Sequence, residues 1–302
     1  MFEYRITLRP MRAPTQHVVK PYALQPELTG KPASHFIYVP PAGHIREQLL
    51  LFLGGTTSKP ANYQTFPAFA ARLGYHVINL SYNNDQSSLV CEQAEDLNCF
   101  TRFRQESLWG KGGPKAPNAE SIWGRLIPLL KHLIKEYPNE GWQRYLEAEN
   151  LLHHRIVLAG HSQGAGHVAF WAQQYAVDRV LLFAGPNDYS LRYTQAAPWL
   201  SKPMTTSKDR LFGVLHPQDE VIPVERQLAT WQAMGLIPSP QLPRYRQGEE
   251  PIAPFLFLVD DPLTDQLGIA QLHSLMVADC REARMGKIAP PYEKLWQFLL
   301  TD

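Results

Sequence analysis

Residues 155–174 read RIVLAGHSQGAGHVAFWAQQ. The apolar run Ile156, Val157, Leu158 and Ala159 has the character of a buried β-strand, and the small, then apolar, residues after Gly164 have the character of a helix. Between them lies Gly160-His161-Ser162-Gln163-Gly164, a G-x-S-x-G pentapeptide. By itself that pattern is weak, and a plain Gly/Ser turn is the competing reading. Joining a buried strand to a helix, it has a mechanical reason. A serine on so sharp a turn takes a strained backbone conformation, and Gly160 and Gly164 remove side chains that would collide there. The turn lifts the hydroxyl above the sheet edge, within reach of a histidine. Ala165 and Gly166 keep the start of the helix slim, and the helix N-terminus favours negative charge developing nearby. Ser162 is therefore read as a nucleophile.

With these neighbours the chain resembles the α/β-hydrolase superfamily, whose nucleophile elbow has this form. The likeness is at superfamily level and singles out no subfamily. It implies an α/β fold with a central, mostly parallel twisted sheet flanked by helices, and a serine hydrolase of esterase or lipase type.

Composition is consistent with a globular enzyme. The chain has 302 residues, 44% hydrophobic and 19% charged, enough for a sizeable core, and no repeat or linker divides it, so one domain over 1–302 is expected. The formal net charge is +1 and no long Lys/Arg block occurs, which removes the electrostatic case for nucleic acid or an anionic membrane surface. A small-molecule acyl substrate is the expected partner. No apolar run approaches the roughly 18 residues of a membrane span. The N-terminal MFEYRITLRPMRAP lacks the apolar core of a signal peptide, which reads as cytoplasmic. A secreted mature form stays open through Cys91 and Cys99, which lie eight apart and either close a short disulfide, leaving Cys280 free, or are ordinary thiols.

Along the chain, residues 2–8 alternate like a strand, with 35–39 as a short antiparallel partner, and Pro14, Pro21, Pro26 and Pro32 keep the connection non-helical. LLLFL at 49–53 reads as a strand buried on both faces. Phe66, Phe69, Ala70 and Leu73 have helical spacing capped by Gly74, and residues 76–82 form the next strand, completing a βαβ unit. Residues 83–120 are polar and turn-rich and read as an irregular insertion near the mouth of the site. Gly110-Lys111-Gly112-Gly113-Pro114 within it is no phosphate loop, since no Ser/Thr follows the lysine and no strand feeds it. Ile122, Leu126, Leu129, Leu130 and Leu133 mark an amphipathic helix kinked or started at Pro128. Strands follow at 180–184, 211–215 and 255–259, a helix runs from Val224 through Trp231 to Gly235, and a closing helix spans 292–300. Residues 189–208 form a second irregular, modest lid-like connection, in which Trp199 either lines a pocket or simply packs.

A serine hydroxyl needs a base and a group to orient that base. The resemblance implies the order Ser, then Asp/Glu, then His. Asp219 follows a strand in a D-x-x-[VI]-P turn of the kind the family uses for its acid, with Asp188 and Glu220 as alternatives; an N-cap for the helix near Pro223 is the competing role. His273, after the last strand, is the expected base. His216 is the fallback, His153 and His154 are expected at the surface, and His161 is expected to pack or hydrogen-bond behind the turn. The resemblance also implies an oxyanion hole from the amides of Thr56, in Gly54-Gly55-Thr56-Thr57, and Gln163; Gly54-Gly55 stands where the family usually has HG, which leaves a neighbour of Thr56 as the alternative first donor. The implied reaction is cleavage of a carboxylic ester through an acyl-enzyme on Ser162. Thioesterase, amidase and acyltransferase chemistry use the same residues, and a catalytically silent binding protein is the alternative from another class. No metal-ligand spacing or dinucleotide turn occurs, so neither metal nor cofactor is expected.

Overall fold

The computed structural model describes residues 13–29, 32–43, 45–258, 272–279 and 292–301. Among them, nine strands form one mixed sheet: β1 (Thr15–Val19), β2 (His35–Val39), β3 (Leu49–Leu53), β4 (His76–Leu80), β5 (Ile156–His161), β6 (Arg179–Phe183), β7 (Leu211–Leu215), β8 (Arg244–Tyr245) and β9 (Phe255–Leu258). Their spatial order is β1-β2-β4-β3-β5-β6-β7-β9-β8. The β1–β2 and β2–β4 pairs are antiparallel and all others parallel.

The central strands read as continuous apolar runs because helices cover both faces. Alternate side chains go to opposite layers. Leu49, Leu51 and Leu53 of β3 and Leu158 of β5 pack with helices α3 (Ile122–Glu136) and α4 (Gln163–Gln174). Leu50 and Phe52 of β3 and Ala159 of β5 pack with α1 (Thr65–Arg72) and α6 (Glu293–Thr301) on the other face. Helices α2 (Asn98–Trp109) and α5 (Val224–Ala233) complete the α3/α4 side.

Some expectations are corrected, some open alternatives are decided, and some lie outside the described residues. The partner of β2 beyond its β4 neighbour is Thr15–Val19, and the proposed strand over residues 2–8 lies outside the described residues, as do Val259 and Cys280. Residues Pro21–Leu24 form one helical turn, with Pro21 in the first-turn position where its missing N–H costs nothing. Helix α3 starts at Ile122, capped by the Ser121 hydroxyl, and runs through Pro128. Proline cannot donate to the carbonyl four residues back, and the Gln25 side-chain amide donates to that Gly124 oxygen instead, at 2.9 Å. The 83–120 insertion contains a twelve-residue helix, α2. Its buried face is Phe100, Arg104 and Leu108, spaced four apart, and the arginine in the middle conceals the amphipathic pattern. Residues 189–208 hold a small hairpin, Tyr189–Ser190 with Gln195–Ala196, and Trp199 is wholly buried. Cys91 and Cys99 form a disulfide. Among the described residues, no helix is long and apolar enough to cross a membrane.

Candidate functional site

Parallel strands bring their carboxyl ends to one sheet edge, and the loops after β3, β5, β7 and β9 carry Thr56, Ser162, Asp219 and His273. Ser162 joins β5 to α4 with φ 54° and ψ −116°, a backbone state that a side-chain-bearing residue adopts only when its surroundings impose it. They do so here through close packing: its amide donates to Phe183 O at 2.8 Å, and a Cβ at Gly164 would lie 2.0 Å from Leu53 O.

His273 sits in the turn at residues 272–277, buried, with its ring edge against Asp219. Its Nδ1 is 2.6 Å from Asp219 Oδ2. Because the carboxylate only accepts, Nδ1 carries the proton, which leaves Nε2 as the basic nitrogen. That Nε2 is buried and without a hydrogen-bond partner among the described residues. Asp219 also accepts from the Val221 and Ile222 amides on Oδ1, both at 2.9 Å, and from Gln227 Nε2 on Oδ2. It is therefore not the N-cap of α5, which Pro223 precedes. Burial acts to raise its pKa, but the hydrogen bond and charge of His273, with the Ile222 amide and Gln227, outweigh burial and hold the carboxyl below its ordinary value.

The loop after β3 is tied down on several sides. Tyr82 donates to Gly54 O, and Asn84 Nδ2 donates to Gly55 O and Ser58 O. The Gly55 amide donates to the Tyr63 hydroxyl and the Thr57 amide to Asn84 O, while no hydrogen bond among the described residues engages the amides of Thr56 or Gln163. The two residues are linked by Thr56 Oγ1 donating to Gln163 Oε1 at 2.7 Å. A cavity of about 360 Å³ opens here, and Thr56, Ser162, Gln163 and His273 line it with Leu89 and Ile222. A larger hollow of about 1150 Å³ lies against Trp123, His153 and Tyr175, but no serine, threonine or cysteine among the described residues lines it.

The remaining acids and histidines have other work. Asp188 is wholly buried against Arg104, which donates to both its oxygens, and it also accepts from Trp199 Nε1 at 2.8 Å. Arg104 continues to Gln163 O at 2.9 Å and to Ser88 Oγ, passing where a Cβ on Gly166 would collide with it at 2.1 Å. Glu220 accepts from the His273 amide at 3.1 Å. His216 Nδ1 accepts from the Gln218 amide; burial lowers its pKa against the pull of Asp219 and Glu220. His161 is buried and lines the same cavity as Ser162 and His273, with its pKa lowered to about 3 by burial and by His273. His154 is exposed, whereas His153 is half-buried, stacked on Tyr175 with centroids 4.1 Å apart, so the surface expectation fails for it.

Sequence reading overlooked Tyr63, Arg104 and Gln227. They sit 98, 59 and 8 residues from the groups they bond, and no motif spacing signals such pairings. Among the described residues, no group of three His, Cys, Asp or Glu side chains is placed to hold a metal ion. The chain matches no protein-family model and no curated protein.

Proposed function

We propose that this protein is a serine hydrolase of the α/β-hydrolase fold that cleaves a carboxylic ester through an acyl-enzyme on Ser162. One observation carries the reading: strained Ser162 lines a cavity with His273, whose Nδ1 is held by Asp219 and whose buried Nε2 has no hydrogen-bond partner among the described residues. His273 takes the proton of Ser162 as its oxygen attacks the acyl carbon, and Asp219 stabilises the imidazolium. The negative oxygen that forms is stabilised by the Thr56 and Gln163 amides, each such donor being worth about 3 kcal/mol. The protonated histidine then releases the alcohol, and water, activated by the same nitrogen, frees the acid and regenerates Ser162. The mixture of leucine, isoleucine and small hydroxyl residues lining the cavity suits a compact acyl group. The disulfide supports residence in an oxidising compartment, where such bonds persist.

Covalent labelling tests the assignment. A fluorophosphonate probe is expected to label the wild type and to leave Ser162→Ala unlabelled. A folded wild type that resists the probe would refute it.

A further inference from the structure

The base residue belongs to no helix or strand, so its main chain must be placed by other means. Both of its peptide groups are held by side chains. The His273 N–H donates to Glu220 Oε2 at 3.1 Å, and the His273 C=O accepts from His161 Nε2 at 2.9 Å. A carbonyl can only accept, so His161 carries its proton on Nε2 and Nδ1 is the acceptor for the Tyr63 hydroxyl, 2.9 Å away. That hydroxyl oxygen in turn accepts from the Gly55 amide at 3.2 Å. Burial lowers the pKa of His161 to about 3, so the ring is neutral at neutral pH.

The two holding groups are chain neighbours of the groups His273 must serve. Glu220 follows Asp219, and His161 precedes Ser162. We propose that Glu220 and His161 are positioning residues that clamp the main chain of His273 between the acid turn and the nucleophile turn, with Tyr63 extending the clamp to the loop carrying Thr56. The inference rests on the hydrolase reading for its catalytic consequence. The imidazole is bound to Asp219 at one atom only, and a single hydrogen bond leaves it free to pivot. Fixing both peptide groups removes that freedom and sets the direction of Nε2. Displacing a reacting group by about 1 Å costs on the order of a hundredfold in rate.

Glu220 is exposed, so it can be replaced without opening the core. Glu220→Ala removes the acceptor, whereas Glu220→Gln keeps an acceptor oxygen and removes the charge. Hydrolysis of a nitrophenyl ester and amide hydrogen exchange over residues 272–277 are measured on the full chain. The expected result is a kcat about ten- to a hundredfold lower in Glu220→Ala with KM within about twofold, most of it recovered in Glu220→Gln, and faster exchange at the His273 amide only in the alanine variant. Unchanged exchange and unchanged kcat in Glu220→Ala overturn the clamp, as does an equal loss in Glu220→Gln, which would make charge the operative property. Exchange is read whether or not an ester is turned over. Faster exchange in a protein whose wild type lacks esterase activity would therefore overturn the hydrolase reading and leave the clamp itself standing.

Discussion

Asp219 uses both carboxylate oxygens at once: Oδ1 ties two amides of its own turn, and Oδ2 meets His273 and Gln227. The first pair orients the carboxylate and the second orients the imidazole, so the residue's structural and proposed chemical roles are separable by substitution. In Asp219→Asn the side-chain oxygen can still serve the turn, but the amide cannot stabilise an imidazolium and can force the wrong histidine tautomer. Turnover of a nitrophenyl ester is expected to fall by about 10⁴ with the folded structure retained by circular dichroism. Near-normal turnover would remove Asp219 from the proposed mechanism. Neither alternative acid has comparable access to the imidazole, because Asp188 is consumed by Arg104 and Glu220 bonds the His273 main chain.

Helix α2 shows how an insertion is made part of the site. The Cys91–Cys99 bridge joins its first turn to the segment carrying Leu89, a cavity wall, and Arg104 one face further on holds the carbonyl of Gln163. The wall, the helix and the Ser162 turn are thus one connected unit. A wholly buried ion pair is weak evidence of stability, since desolvation offsets most of the attraction, but leaving Asp188 without Arg104 would strand a charge. The disulfide acts differently, by restricting the unfolded chain. Closing so short a loop is worth about 2–3 kcal/mol, so the Cys91→Ser/Cys99→Ser double variant is expected to lose about that much in denaturant unfolding. An unchanged midpoint would show that the surrounding hydrogen bonds already hold the loop.

Across the molecule, burial of neutral imidazole is a recurrent feature. Burial lowers His35 and His161 to about 3, with Arg125 and His273 respectively adding to the effect, and it pushes His167 well below its ordinary value beside Arg104. Each binds a proton more readily unfolded, near pH 6.5, than folded. The unfolded state therefore holds more protons below that pH, and stability is complete above about 6.5 and lost as pH falls toward 3. Each such group adds up to about 1.4 kcal/mol per pH unit within the window. Melting temperature is expected to be flat from pH 7 to 8 and to drop steeply below 6; constancy down to pH 4 would contradict the buried, neutral state of these histidines.

What could be read from the residues is what depends on neighbours in the chain. The LLLFL strand, the strand–turn–helix around Ser162 and the helix with its leucines at 126, 129, 130 and 133 follow from periodicity and turn chemistry, because those signals act over one or two turns. Asp219 and His273 were legible only through a resemblance in their order, and their 2.6 Å contact spans 54 residues. Helix α2 was hidden because its core position is filled by Arg104, whose burial makes sense only once Asp188 is beside it. The Tyr63–His161–His273 chain, the Glu220 contact and the engagement of the Gly55 amide depend on loops from different strands meeting at one sheet edge. Such hydrogen bonds have no sequence period. They are set by packing of the sheet, which brings distant polar groups together in a place where leaving them unpaired would cost about 1–3 kcal/mol each.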